Sequence, residues 1–238
     1  MQVAHVWIKA LSLAFLNLSK IIPTFAPQNK EFIPNKQMKE LIRLAIFAGM
    51  LIGIGGLTYL NVGGLAGAIL FAFGLISVVL CKAQLYTGKA GFLPYRDFPR
   101  VMVILLGNVI GCALVAVLTI YAKNPKVMAG IDAIIASRGA ASWHEIIITS
   151  IGTGVIMTLA VFGTINKNFL PLLFGVPVFI MCGLPHCVAD AFYYSVCAVN
   201  GKFETWMLLP WLFAVAGNYI GCNLPRIMMQ RDLTKPME

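Results

Sequence analysis

Charge is what this chain has least of: 11% of its 238 residues are Asp, Glu, Lys or Arg, and only nine of these are acidic. Histidine is equally sparse, at His5, His144 and His186, and the six cysteines (Cys81, Cys112, Cys182, Cys187, Cys197 and Cys222) include no Cys-x-x-Cys pair. A zinc site needs several convergent ligands, which the one adjacent pair, His186 and Cys187, does not supply. The cysteines therefore read as small buried apolar residues with idle thiols rather than as a disulfide framework. A glycine-rich phosphate cradle is missing as well. No metal or cofactor is expected.

What fills the chain instead is apolar. At 59% hydrophobic residues and a mean hydropathy of +0.85, it has far more apolar surface than one soluble core can bury. It reads as an all-α integral membrane protein. A formal charge of +9 taken alone points to nucleic acid, but the basic residues lie between apolar stretches rather than along a stripe with interleaved aromatics. No nucleic-acid partner is expected, and the bilayer is the surrounding phase.

Stretches of about 20 apolar residues mark the spans. They run over Leu41–Leu60, Gly63–Cys81, Val101–Tyr121, Ile146–Phe162, Phe169–Val199 and Trp206–Leu224. The second does not end cleanly, because Lys82-Ala83-Gln84-Leu85-Tyr86-Thr87-Gly88-Lys89 interrupts it before Ala90-Gly91-Phe92-Leu93 returns to apolar character. The fifth is broken by Gly183-Leu184-Pro185-His186-Cys187-Val188-Ala189-Asp190, where glycine and proline stop a helix and two ionisable groups follow at membrane depth. A doubled string accompanies these breaks: Gly107-Asn108-Val109-Ile110-Gly111-Cys112 and Gly217-Asn218-Tyr219-Ile220-Gly221-Cys222. Its Gly-x-x-x-Gly spacing lets a neighbouring helix approach closely, and an asparagine in hydrocarbon needs hydrogen-bond partners. Broken spans at corresponding places of two three-span halves point to a transport site at the repeat interface, with the second half inverted.

Orientation follows from the cations beside the spans. Lys30, Lys36, Lys39 and Arg43 precede the first, Arg96 and Arg100 follow the second, Lys167 precedes the fifth, and Arg226, Arg231 and Lys235 follow the last. That face is read as cytoplasmic, with both termini on it, in the cell inner membrane. The opposite loops carry Lys123, Lys126, Arg138 and Lys202, which either gather anions at the mouth or only solvate a loop. Three regions result: residues 1–37 as an amino-terminal segment containing an interfacial helix, 38–226 as the channel, and 227–238 as a tail.

These residues carry a resemblance. The chain from about Met38 to Arg226 resembles the formate/nitrite transporter family, pentameric channels whose every six-span, aquaporin-like protomer has its own pore. The resemblance rests on Phe71, Gly74 and Leu75 followed by Leu85-Tyr86-Thr87, on Gly183-Leu184-Pro185-His186 with Ala189-Asp190-x-Phe192, and on the doubled Gly-Asn motif. It departs from the family pattern in three places. Pro185 stands where an acid precedes the histidine, Asp190 where an asparagine follows it, and Gly154 where the fourth span usually has an asparagine. Arg138 corresponds to a family lysine. The resemblance implies a homopentamer carrying small monovalent anions such as formate, nitrite, hydrosulfide or short monocarboxylates.

The physics of such a pore is simple. A small anion entering an apolar passage loses hydration at a cost of several kcal/mol, which its neutral acid largely escapes. His186, the only histidine inside an apolar span, could lend a proton or a hydrogen bond, unless it is a structural group pairing with Asp190. Thr87 could donate from the opposite side or merely cap the broken helix. The resemblance implies an apolar gate, with Phe71, Leu75 and Phe179 as the cytoplasmic constriction and Leu85 as the outer one. Asn108 and Asn218 are expected to brace the interrupted loops more than to touch substrate. Arg138 is the mouth cation. Two other classes are weaker: an intramembrane enzyme built on His186, Asp190 and Ser195 lacks a nucleophile turn, and a neutral-solute channel lacks Asn-Pro-Ala boxes, since Asn124-Pro125 falls in a charged loop.

Overall fold

The computed structural model describes residues 35–237, and among them all regular structure is helical. In chain order the helices are α1 (Asn35–Val62), α2 (Gly64–Leu80), α3 (Phe98–Ala122), α4 (Pro125–Ala140), α5 (Trp143–Ile165), α6 (Leu170–Met181), α7 (Cys187–Val199) and α8 (Leu208–Met229). The expected interfacial helix near the amino terminus lies outside the described residues.

Four of these, α1, α3, α5 and α8, are long and apolar enough to cross a membrane. The other apolar helices are too short: α6 has 12 residues and α7 has 13, so each covers only about 20 Å of a roughly 30 Å hydrocarbon core. Helix α2, at 17 residues, also stops before the span is complete. Consecutive glycines at φ +74° and +54°, Gly63 and Gly64, turn α1 directly into α2 in a left-handed conformation that other residues enter at a cost.

The two breaks are built alike. At the end of α2 the amide of Ala83 donates to Val78 O and that of Lys82 to Val79 O; at the end of α6 the amide of Leu184 donates to Phe179 O and that of Gly183 to Ile180 O. Both are Schellman terminations with a left-handed residue at the same place, Lys82 at φ +52° and Gly183 at φ +67°. Beyond them the chain diverges: residues 83–94 go on in turns, whereas the second break restarts at once as α7.

Packing repeats across the halves. Helix α1 packs on α3 and α2, and α5 packs on α8 and α6. The small-residue faces read from the doubled motif do meet a neighbour, and the neighbour is the first helix of the same half. A side chain on Gly111 would collide with the Ile46 carbonyl, and one on Gly221 with the Ile151 carbonyl. Gly49 and Gly154 complete the two contacts from the other side, against Asn108 O and Asn218 O. A side chain on Gly154 would also collide with the Cys222 amide.

One element was read differently from the sequence. Residues 125–140 form a helix, not a loop, with Asn124 accepting from the Lys126 amide as its N-cap and Pro125 in its first turn. Val127, Ile131 and Ile135 bury one face of it, a spacing of four that marks the helix once the charges between are discounted. Arg138 therefore stands near the end of a packed helix rather than in an open connection.

Candidate functional site

The doubled asparagines position the centre of the molecule. Asn108 accepts from the Tyr86 amide at 2.8 Å and donates to Ala45 O and Gln84 O at 2.8 Å each. Asn218 accepts from the Cys187 amide at 2.8 Å and donates to Ser150 O at 2.8 Å and Pro185 O at 3.1 Å. Each carboxamide thus binds the amide of one break residue and the carbonyl two residues earlier, and each is fully buried. Such a clamp supplies in hydrocarbon the partners that a broken helix leaves without. Bracing is the contact these two residues make.

The cysteines of the same motif are not idle. The single S–H of Cys112 is shared between Gly49 O at 3.4 Å and, across the halves, Val188 O at 3.3 Å; Cys222 Sγ donates to Thr87 O at 3.3 Å. Each thiol holds the break of the opposite half. The signal was present in the sequence, since cysteine recurs four residues after each asparagine, but a weak S–H donor is easily passed over.

Between the clamped breaks lie Thr87 and His186, 0% and 2% exposed. Thr87 Oγ1 and His186 Nε2 are 2.9 Å apart. The other ring nitrogen, Nδ1, accepts the Ala189 amide at 3.1 Å, so His186 is the N-cap of α7. An accepting Nδ1 puts the hydrogen of the neutral imidazole on Nε2, which then donates to Thr87 Oγ1. The Thr87 hydroxyl keeps its own hydrogen for another acceptor. Phe179 stacks on the imidazole, with ring centroids 5.4 Å apart and planes 22° from parallel, and meets Phe71 edge-on at 6.2 Å. Leu75 and Leu85 are both buried.

The expected sides of the apolar ring are exchanged. Helix α2 enters from the Gly63–Gly64 turn, at the end of α1 opposite Lys36, Lys39 and Arg43, and Phe71 lies nearer that turn than the break. Helix α6 comes from the end that carries Lys167, and Phe179 is near its far terminus. The Phe71–Phe179 contact therefore lies toward the face away from those cations. Leu85 sits past the α2 terminus, on the stretch that leaves toward Arg96 and Arg100, so it lies on the basic side. Chain order alone allowed the reverse because it did not show how deep α2 runs before it breaks.

Asp190 does not pair with His186. Its carboxylate takes Arg138, whose Nε reaches Oδ2 at 3.2 Å and whose Nη2 reaches Oδ1 at 3.3 Å, while Nη1 donates to Gly183 O at 3.1 Å. Nor does Ser195 face a base: its hydroxyl returns to Ala191 O at 2.6 Å. Histidine, acid and serine are thus not brought together as a triad. Two further braces went unread in the sequence: Tyr86 Oη donates to Val215 O at 3.0 Å, and Trp211 Nε1 to Cys187 O at 2.8 Å. Among the described residues no group of three metal-binding side chains occurs.

Comparison with known proteins agrees with this architecture. The family model of the formate/nitrite transporters matches residues 30–229. A formate-nitrite transporter of Entamoeba histolytica is 27% identical over 215 residues, covering 76% of this chain and 60% of that protein, so the chain spans less than two thirds of that relative's length. Among solved structures, a pentameric formate channel with formate bound aligns at a TM-score of 0.74 and 19% identity, over 83% of this chain and 97% of the other. A second, an FNT family ion channel, aligns at 0.66 and 16%, over 82% and 96%. Two clamped breaks, a small-residue packing face in each half and a family match over nearly the whole described chain lead to one conclusion: the chain belongs to the formate/nitrite transporter family.

Proposed function

We propose that this protein is a multi-pass membrane channel for small monovalent anions, of the formate, nitrite, hydrosulfide or short-monocarboxylate class, in which Thr87 and His186 form the central polar step. The observation that carries this reading is the 2.9 Å Thr87–His186 contact, fully buried between two clamped helix breaks and flanked by Phe179. An anion that reaches this point has lost most of its water. The Thr87 hydroxyl offers it a hydrogen bond, strengthened because the same oxygen accepts from Nε2–H. The neutral tautomer favours donating a hydrogen bond over giving up the proton, since loss of the Nε2 hydrogen would leave an imidazolate.

The apolar residues serve this step from either side. Phe71 and Phe179 form a constriction toward the outer face, and Leu85, with Leu75 one turn beyond Phe71, bounds the path on the cytoplasmic side. Asn108 and Asn218 act on the anion through the loops they hold. The repeated packing of α1, α2 and α3 against that of α5, α6 and α8 supports two inverted three-span repeats with spans two and five broken. The solved formate channel of similar fold is a pentamer, and the many apolar side chains left exposed on the long helices support a ring of copies in lipid. The basic residues at the α1 start and the α8 end support a cytoplasmic position for both of those ends, in an inner membrane.

The test is uptake of formate, nitrite and hydrosulfide into proteoliposomes at matched protein density. His186→Ala and His186→Asn are expected to fold and assemble as the parent does and to lose most of the flux. Parental flux in both would remove His186 from the pathway. Intact flux of uncharged solutes with none of the anions would favour a neutral-solute pore instead.

A further inference from the structure

Two ion pairs occur among the described residues, and they differ in kind. Lys202 and Asp132 are both 53% exposed, whereas Arg138 and Asp190 are 12% and 2% exposed. The buried pair is two-pronged, and a third guanidinium hydrogen bond goes to Gly183 O at the bend before the second break. Three donors of Arg138 are thus committed to the chain on either side of His186. Asp190 sits in the first turn of α7, where the helix dipole also favours a carboxylate.

Electrostatics gives the pair a consequence for permeation. A lone guanidinium projects the field of a full charge, while a guanidinium closed on a carboxylate projects that of a dipole, which falls off faster with distance. An anion passing the outer side of His186 therefore meets a site that is close to neutral. To engage the guanidinium directly it would have to displace a tethered carboxylate that already satisfies the fork.

We propose that Asp190 determines selectivity: by holding Arg138 in this pair it withdraws the outer cation from the permeating anion, so the channel favours weak acids, which can shed their charge by taking a proton from the bulk water at the mouth, over anions that stay charged. This deepens the anion-channel reading and rests on it. The mouth cation expected at position 138 then acts as a latch between α4 and α7, and the attraction it would have exerted is silent in the parent protein.

The experiment compares formate, a weak acid, with nitrate, which remains ionised, in proteoliposomes at low and high ionic strength. Four proteins are measured: the parent, Asp190→Asn, Arg138→Gln and the double variant. Freeing Arg138 with Asp190→Asn is expected to raise nitrate flux roughly three- to ten-fold at low ionic strength, with a smaller rise for formate. The gain should fade near 1 M salt, where the screening length is about 3 Å. Arg138→Gln, which strands a buried carboxylate, should lower both fluxes at every ionic strength and lower thermal stability. The double variant, with neither charge, should recover stability and return the parental nitrate-to-formate ratio. An unchanged ratio in Asp190→Asn would overturn the proposal. So would Arg138→Gln losing flux only at low salt with stability intact, because Arg138 would then be acting as a free charge. A parent that carries none of formate, nitrite, hydrosulfide and short monocarboxylates defeats the channel reading itself, and this inference with it; a parent that carries formate no faster than nitrate, or whose ratio Asp190→Asn leaves unmoved, defeats only this inference.

Discussion

The two breaks share a scaffold and differ in chemistry. Aligned by their Schellman turns and their asparagine clamps, Gln84-Leu85-Tyr86-Thr87 in the first half corresponds to Pro185-His186-Cys187-Val188 in the second. Leucine stands where the other half has histidine, and threonine where it has valine. The polar pair at the centre is therefore drawn one residue from each half, at positions that are not equivalent. Two residues on, the contrast continues: Lys89 corresponds to Asp190, and while Asp190 is closed on Arg138, Lys89 has no acidic partner among the described residues. The two breaks share their turn and clamp contacts, and on the proposed reading the transport step lies where their side chains differ. A symmetrical substitution should thus break both halves alike, and an asymmetrical one should change transport alone.

The largest effects are expected where backbone meets backbone. Gly111→Ala and Gly221→Ala each drive a methyl into a carbonyl of the neighbouring helix, and each should cost about 3 kcal/mol and most of the assembled protein. Thermal melting in detergent and recovery of the oligomer measure this. If one variant is tolerated and the other is not, the frame is less symmetrical than the contacts indicate.

Next come the clamps. Asn108→Ala and Asn218→Ala remove three hydrogen bonds apiece and leave buried backbone groups without partners, a loss of roughly 2–4 kcal/mol. The two melting temperatures should fall by similar amounts. A mild Asn108→Ala beside a severe Asn218→Ala would show that only the second break needs the brace.

Smaller still in stability, but not in transport, is Thr87→Val. It keeps the shape of the side chain and deletes the hydroxyl that faces His186, so folding should hold while formate flux drops about ten-fold, the equivalent of one lost hydrogen bond of 1.4 kcal/mol at the barrier. The mildest change is Leu85→Ala or Phe179→Ala. Removing apolar bulk from either side of the central pair should raise the flux of larger monocarboxylates relative to formate, read as a ratio across a size series. A ratio that does not move would make those side chains packing.

Much of this comparison was legible in the sequence, for a physical reason. Apolar length marked the long helices, and the Gly-x-x-x-Gly faces and asparagines stood out because small and polar residues are costly in hydrocarbon unless they do something. Thr87 and His186 could be named because both lie in a break. Helix α4 was missed because Asn124, Lys126 and Arg138 made it look like a polar connection, while its apolar face is only three residues deep. The Arg138–Asp190 pair joins residues 52 apart in sequence, and nothing local to either one declares the other. The sides of the apolar ring depended on how far α2 runs before it turns, which is a tertiary fact.

One measurement bears on the central claim most directly. His186→Leu makes the second break match the first at the corresponding position, so the frame that already holds Leu85 should hold this leucine too. Formate uptake into proteoliposomes is recorded beside the melting curve of the same preparation. The expected result is a melt lowered only by the lost α7 cap, about 1 kcal/mol, with flux reduced at least about ten-fold; the same melt with parental flux would contradict this reading.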